Sequence, residues 1–208
     1  MKSWFFLIAT LLVFACSNNE QKLSDTFELG DTENGVYRND YFNLTIQAPP
    51  SWVALNRAEI RELMGGVVDK TLEENESMEG IIKTDQANSA HLLAFSRAGD
   101  RPNGSLFVTA QNAAMTGFIK TAKQYQESSL PMLKLMRPNY SYNKAIYQSN
   151  LGGVESYVLE TYETTPGSNQ KQENHVILLR DYFLLFVLTY NDESGKEELY
   201  KMLDTIEF

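Results

Sequence analysis

Hydrophobic and polar positions change period several times along the chain, and each period predicts an element. Residues 176–179 and 183–188 are apolar without alternation. A strand that is apolar on both sides must be covered on both sides, which places this pair at the centre of a sheet with helices on each face. Residues 36–48 carry the β-prone Tyr37, Tyr41, Phe42, Leu44 and Ile46 and read as strands, stopped by Pro49-Pro50. Asn56 with Glu59 three positions later forms a capping box, and Leu55 and Ile60 take the places of a hydrophobic staple. Ile60, Leu63, Met64, Val67 and Val68 then recur at helical spacing, which predicts a helix with one buried face.

Residues 69–80 read as an acidic connection. Residues 89–98 and 105–113 read as two strands joined by a turn over 99–104. A second helix is expected to start near Thr116 and to kink or break at Pro131, which removes a donor and crowds the preceding turn. Residues 140–149 read as a strand that returns through Asn150-Leu151-Gly152-Gly153, and another turn falls at Thr165-Pro166-Gly167-Ser168. Ser194-Gly195-Lys196-Glu197 reads as a capping box opening a last helix that buries Leu199, Met202, Leu203 and Ile206. Helix, hairpins, helix, hairpins, helix is the order of an α+β fold, an α/β/α sandwich around a largely antiparallel central sheet.

The first sixteen residues follow a different rule. Lys2 precedes an eleven-residue run from Trp4 to Phe14 that is apolar except for Thr10. Crossing a bilayer takes about 20 apolar residues, so the run fits the core of a secretory signal rather than a membrane span. Val13-Phe14-Ala15-Cys16 then resembles a bacterial lipobox, and Cys16 is the single cysteine of the chain. On this reading residues 1–15 are a lipoprotein signal peptide, and the Cys16 thiol takes the lipid, palmitate among its acyl chains. Residues 16–35 are a flexible tether with a typical span of about 25 Å, and residues 36–208 are one globular domain. Ser17 after the cysteine resembles the pattern of lipoproteins sent to the outer membrane of diderm bacteria. Several acyl chains anchor stably where one alone is marginal.

Composition closes off several functions. The 208-residue chain is 43% hydrophobic and 22% charged, with a formal charge of −9 and a pI near 4.8. No basic stripe is visible, so nucleic acid is not an expected partner. One cysteine and two histidines exclude a zinc ribbon and a disulfide scaffold. Ser141-Tyr142-Asn143-Lys144 matches the Ser-x-x-Lys of penicillin-recognising enzymes. On a strand those two side chains point to opposite faces, and the companion motifs are missing. His91 and His175 sit beside apolar strand segments and read as ordinary imidazoles. Asp69, Glu73, Glu74, Glu76 and Glu79 read as a solvated acidic loop, their spacing matching no calcium loop. Lys120, Lys123, Lys134 and Arg137 read as a basic edge on the second helix. Trp52 is expected to cap the core where strand turns into helix. No catalytic, cofactor-binding or metal residue is assigned.

Tyr37-Arg38-Asn39-Asp40-Tyr41-Phe42-Asn43-Leu44-Thr45-Ile46, followed by Pro50-Ser51-Trp52, resembles the opening of PsbP-like proteins, and Leu151-Gly152-Gly153-Val154-Glu155-Ser156-Tyr157 resembles one of their hairpins. The resemblance implies an α/β/α sandwich and docking onto a partner rather than catalysis. The expected function is a non-enzymatic docking or assembly role on an envelope protein complex, from a membrane-anchored extracytoplasmic position. A carrier of small apolar ligands stands second and an envelope hydrolase third. Cys16→Ser should abolish metabolic labelling by a fatty-acid probe; unchanged labelling would place the lipid elsewhere.

Overall fold

The computed structural model describes residues 27–74, 76–98, 104–142 and 145–208. The signal peptide, Cys16, the tether up to residue 26, most of the turn over 99–104 and Lys144 of the Ser-x-x-Lys match lie outside the described residues.

Three short strands, β1 (Asp31–Glu33), β2 (Val36–Asn39) and β3 (Leu44–Gln47), form a small antiparallel sheet. The main sheet is antiparallel in the order β4 (Trp52–Ala54), β5 (Ser89–Arg97), β6 (Gly104–Asn112), β11 (Tyr182–Tyr190), β10 (Lys171–Leu179), β9 (Val154–Glu163), β7 (Tyr140–Tyr142), with β8 (Tyr147–Leu151) also paired to β9. Four α-helices flank it: α1 (Arg57–Glu74), α2 (Glu79–Asn88), α3 (Ala122–Met136) and α4 (Glu193–Leu203). The two unalternating apolar runs do occupy its centre, as β10 and β11. Leu184, Phe186 and Leu188 point to one face with Ile177, Val108 and Leu106, under α4 and the small sheet; Phe183 points to the other with Val176, under α3. Each such side chain contributes roughly 1.5–3 kcal/mol by leaving water.

Several expectations are corrected. Residues 27–35, read as the end of a flexible tether, are folded. The Phe27 ring packs 5.3 Å from that of Tyr182 and 5.8 Å from that of Phe42. Tyr37 Oη donates to the Leu29 carbonyl (2.7 Å), Asn39 Nδ2 to the Glu28 carbonyl (2.8 Å) and Arg57 Nη2 to the Gly30 carbonyl (2.6 Å). Polar composition hid these bonds, because they satisfy backbone carbonyls rather than bury side chains. Burial pushes the Tyr37 hydroxyl up to about 12.

The acidic stretch over 69–80 is not a loop. It contains the end of α1, a 3₁₀ turn at Glu76–Met78 and the start of α2. Its buried Met78, with Ile82 just beyond it, provides the packing that a count of charges overlooks. The second helix starts at Ala122 rather than near Thr116. Gly117, with φ 65°, breaks the chain between a 3₁₀ turn and the helix, and Thr121 caps α3 by accepting from the Gln124 amide. Pro131 does not end α3, which runs on to Met136; side chains on both sides of it lie against the sheet. Residues 140–149 are two separate strands, β7 and β8. The last helix is capped by Asp192, whose Oδ1 accepts from the Gly195 amide at 2.8 Å, rather than by Ser194. The Asn56 capping box is as expected: Asn56 Oδ1 accepts from the Glu59 amide, and Glu59 Oε2 accepts from the Asn56 amide at 2.7 Å.

One buried carboxylate fastens α4 to the sheet. Glu173 and His175 alternate along β10 onto the same face as Ile177, opposite Leu188 and Phe186. The Glu173 side chain is fully buried. It accepts from Tyr190 Oη (2.7 Å), Tyr200 Oη (2.6 Å) and Lys196 Nζ (3.0 Å) and meets His175 Nε2 at 3.2 Å. Burial alone would raise its pKa; the four partners outweigh burial and hold the carboxyl well below the usual range. Lys196 lies over both tyrosine rings, 5.5 and 5.3 Å from their centroids. Burial, then the carboxylate they donate to, pushes both tyrosine hydroxyls up.

Glu173→Gln should lower unfolding free energy at pH 7 by about 2–4 kcal/mol, because it strands a lysine beside a neutral amide. The carboxyl has a lower pKa folded than unfolded. Its contribution is therefore complete above the unfolded value of about 4.3 and is lost as pH falls towards the folded one. Urea unfolding at pH 7 and pH 3 checks both parts, with the gap between wild type and variant narrowing at pH 3.

Candidate functional site

The two covers of the main sheet differ in completeness. On the side of α4 the core is continuous. On the other side, α1, α2 and α3 leave a cavity of about 270 Å³ above β5, β10 and β11. Pockets for small molecules are typically mostly apolar with a few placed polar groups, and this one is slightly smaller than the common range. Its apolar walls come from Met64, Val67 and Val68 of α1, Ile81 and Ile82 of α2, Met132 and Leu133 of α3, and Leu185 of β11.

This arrangement corrects the expected burial of α1. Ile60 is buried at 4% exposure, whereas Leu63 is 49% and Val67 39% exposed. The helical pattern is real, but only its first turn meets the core. Beyond that the apolar face looks over the cavity or into solvent.

Polar side chains also line the cavity. Asp85 accepts from Ser89 Oγ at 3.2 Å and from Gln111 Nε2 at 3.1 Å. Tyr125 Oη donates to Gln111 Oε1. The buried Gln126 donates through Nε2 to the carbonyls of Tyr157 and Asn174. His91 lines the same cavity, and its Nδ1 has no hydrogen-bond partner among the described residues. Burial raises the Asp85 carboxyl above its ordinary value and lowers the His91 imidazole. Among the described residues no lysine or arginine lines the cavity. A carboxylate ligand would meet Asp85 without a compensating cation, so the electrostatics disfavour an anionic guest.

Asp85, His91 and Ser129 share this cavity, which is the residue set a hydrolase would need. Their bonds do not form a relay. Ser129 Oγ donates to the Gln126 carbonyl at 3.0 Å, and Ser89 Oγ donates to Asp85, so neither hydroxyl is directed at the imidazole.

The other residues singled out by sequence fall elsewhere. His175 is bound to Glu173 on the opposite face of the sheet. Ser141 sits on β7 opposite Tyr162. Trp52 is buried and donates through Nε1 to Glu198 at 2.9 Å, while Arg97 pairs with the same carboxylate at 2.8 Å. The expected basic edge is split. Lys134 and Arg137 lie near Tyr142 and Tyr140 at the far end of α3, whereas Lys120 and Lys123 flank its start. Among the described residues no group of histidine, cysteine and acid side chains is placed to hold a metal, and no helix is long and apolar enough to cross a membrane. Sequence reasoning missed Glu173. The available signal was a glutamate two positions from a histidine on a strand otherwise destined for the sheet centre. It also missed Gln126, whose signal is weaker, since glutamine is common on exposed helix faces.

No protein-family model matches the chain, and no curated protein matches it. Solved structures with a similar fold are distant. One is a Bacteroides thetaiotaomicron protein, 11% identical with a TM-score of 0.45, which covers 79% of this chain and 44% of its own. A second is LpqN of Mycobacterium tuberculosis, a protein involved in cell envelope biogenesis, 13% identical with a TM-score of 0.48, covering 79% of this chain and 82% of that one. A third is PA94 of Pseudomonas aeruginosa, of unknown function, 17% identical with a TM-score of 0.40, covering 52% of this chain and 75% of that one.

Proposed function

We propose that this protein is a lipid-anchored, extracytoplasmic envelope protein that performs no catalysis and holds a small, uncharged apolar molecule in the cavity under α1, α2 and α3. The observation that carries the reading is the incomplete cover itself. A sheet face this apolar is normally filled by side chains. Here eight apolar side chains surround about 270 Å³ of space, with a few polar groups set among them. Such a lining suits a guest with an apolar body and one hydrogen-bonding group, which Asp85 would meet. The lipobox at Cys16 supplies the anchor in this proposal.

A second reading is docking onto an envelope protein. It is favoured by the exposure of Leu63 and Val67 on α1 and is what the PsbP-like resemblance implies. In that reading the cavity receives a partner's side chain rather than a free molecule.

Ser129→Phe separates the two. Ser129 lines the cavity from α3 and is only partly buried, so a phenyl group there fills the space without removing core. With N-phenyl-1-naphthylamine, a neutral apolar fluorophore, as the probe, the variant should bind at least about tenfold more weakly, the cost of roughly 1.4 kcal/mol. The melting temperature should stay near that of wild type. Native mass spectrometry of protein purified from its host should show a retained small molecule, absent from the variant. A wild-type protein that neither binds the probe nor retains a molecule sinks the carrier reading.

A further inference from the structure

Residues 113–121, between β6 and α3, carry the most exposed large apolar side chain among the described residues. Phe118 is 99% exposed, and Met115 on the same loop is 43% exposed. Isolated apolar residues on a surface need no explanation. These two belong to a fixed projection. Asn112 Oδ1 accepts from the Ala114 amide at 2.9 Å, Thr116 Oγ1 donates to the Ala113 carbonyl at 2.7 Å, and the Ala113 amide donates to the Asp181 carbonyl at 2.8 Å. At the far side, the Lys120 amide donates to Gln124 Oε1 at 2.8 Å and Thr121 caps α3. The loop is therefore tied down at both ends while Phe118 faces water.

Two further observations concern where the loop lies. Met115 and Ile119 line an outer groove of about 780 Å³ that shares Ile81, Asp85, Tyr125, Ser129 and Met132 with the cavity. The groove thus leads from the loop to the candidate ligand site. The described chain also begins at this end. Phe27 packs on Tyr182, Tyr182 pairs with Asn112, and residue 113 is the first of the loop. Cys16 is eleven residues before Phe27, a reach of at most about 40 Å. The lipid proposed on Cys16 would keep this end of the sheet within that distance of the membrane. Lys120, Lys123 and Arg180 lie at the same end, along with Asp181, in a chain whose net charge is −9.

We propose that the 113–121 loop is a membrane-seating tip: Phe118 and Met115 insert into the outer layer of a phospholipid bilayer, Lys120 and Lys123 meet its headgroups, and the groove opens onto the lipid. Aromatic side chains favour this interfacial depth, and flanking lysines are attracted to anionic lipid. The seating stands on the loop and its lysines; the Cys16 anchor that brings this end near the bilayer, and the purpose of passing an apolar molecule between bilayer and cavity, rest on the function proposed above.

Fluorescence quenching by brominated lipid tests the seating. The full chain, purified with its native lipid attachment, is placed in vesicles of phosphatidylethanolamine and phosphatidylglycerol with a brominated phosphatidylcholine. Phe118→Trp reports from the tip. Val53→Trp reports from a residue that is also apolar and 53% exposed, but pairs with Ser96 at the opposite end of the sheet. Subtracting the parent protein removes the native tryptophans. The tip reporter should lose about half of its emission or more, and the Val53 reporter almost none. Equal quenching at both sites, or none at the tip, overturns the proposal. Both positions are exposed, so neither substitution threatens folding. Met115→Trp in a second background tests the wedge: adding Phe118→Asp should abolish its quenching, and persistence would overturn the role of Phe118. Binding of N-phenyl-1-naphthylamine in solution should be unchanged by Phe118→Asp, since that residue is not among those lining the cavity. Seating without probe binding would count against the carrier function alone.

Discussion

Strand β11 is apolar on both of its faces, and that constraint organises the molecule. Tyr182–Tyr190 pairs along its whole length with β6 on one side and β10 on the other, so its backbone is satisfied inside the sheet and its side chains must be covered from above and below. The chain solves the two problems differently. One face receives α4, the small sheet and the C-terminal residues, closed by the mutual pairing of Thr45 and Glu207. The other receives α3 closely and α1 and α2 loosely, and the space between them is the cavity.

The difference between the two covers has an electrostatic and a packing component. On the closed side, Glu173 joins two strands and a helix through one desolvated carboxylate with four partners. Removing Lys196 would leave the buried carboxylate without its countercharge, and removing a tyrosine hydroxyl would cost it a hydrogen bond, so this side resists opening. On the open side, α1 carries Gly65 and Gly66 near its middle, and a Cβ at either would meet nothing within 4 Å. No close approach requires these glycines. Each costs a helix about 1 kcal/mol relative to alanine. A helix weakened where it spans a cavity is a low-stability element on a rigid platform, the usual distribution in proteins that admit a ligand.

Cavity, groove and tip form a continuous path along the open side. The cavity has no lysine or arginine among its described lining residues to neutralise Asp85; the groove reaches Met115; the loop exposes the Phe118 ring. The described chain begins at the same end, with Phe27 packed on Tyr182. Each feature has a local physical cause, and their alignment follows from the register that places Asn112, Asp181 and Tyr182 together.

The sequence by itself determined the features that depend on neighbouring residues. These are the Asn56–Glu59 capping box, the turn at Thr165-Pro166-Gly167-Ser168, the burial of Leu199, Met202, Leu203 and Ile206, and the central place of two unalternating apolar strands. It also determined the fold class, since period and order of elements leave few ways to cover such a sheet. Tertiary structure alone decided what depends on distant partners. Residues 27–35 are ordered by Tyr37, Asn39 and Arg57, Glu173 gains its meaning from a helix some twenty residues later, and Leu63 and Val67 match a core pattern without meeting a core. Periodicity records which side of an element is apolar. Whether another surface arrives to fill that side is a matter of three-dimensional packing, and here the candidate site lies where it did not.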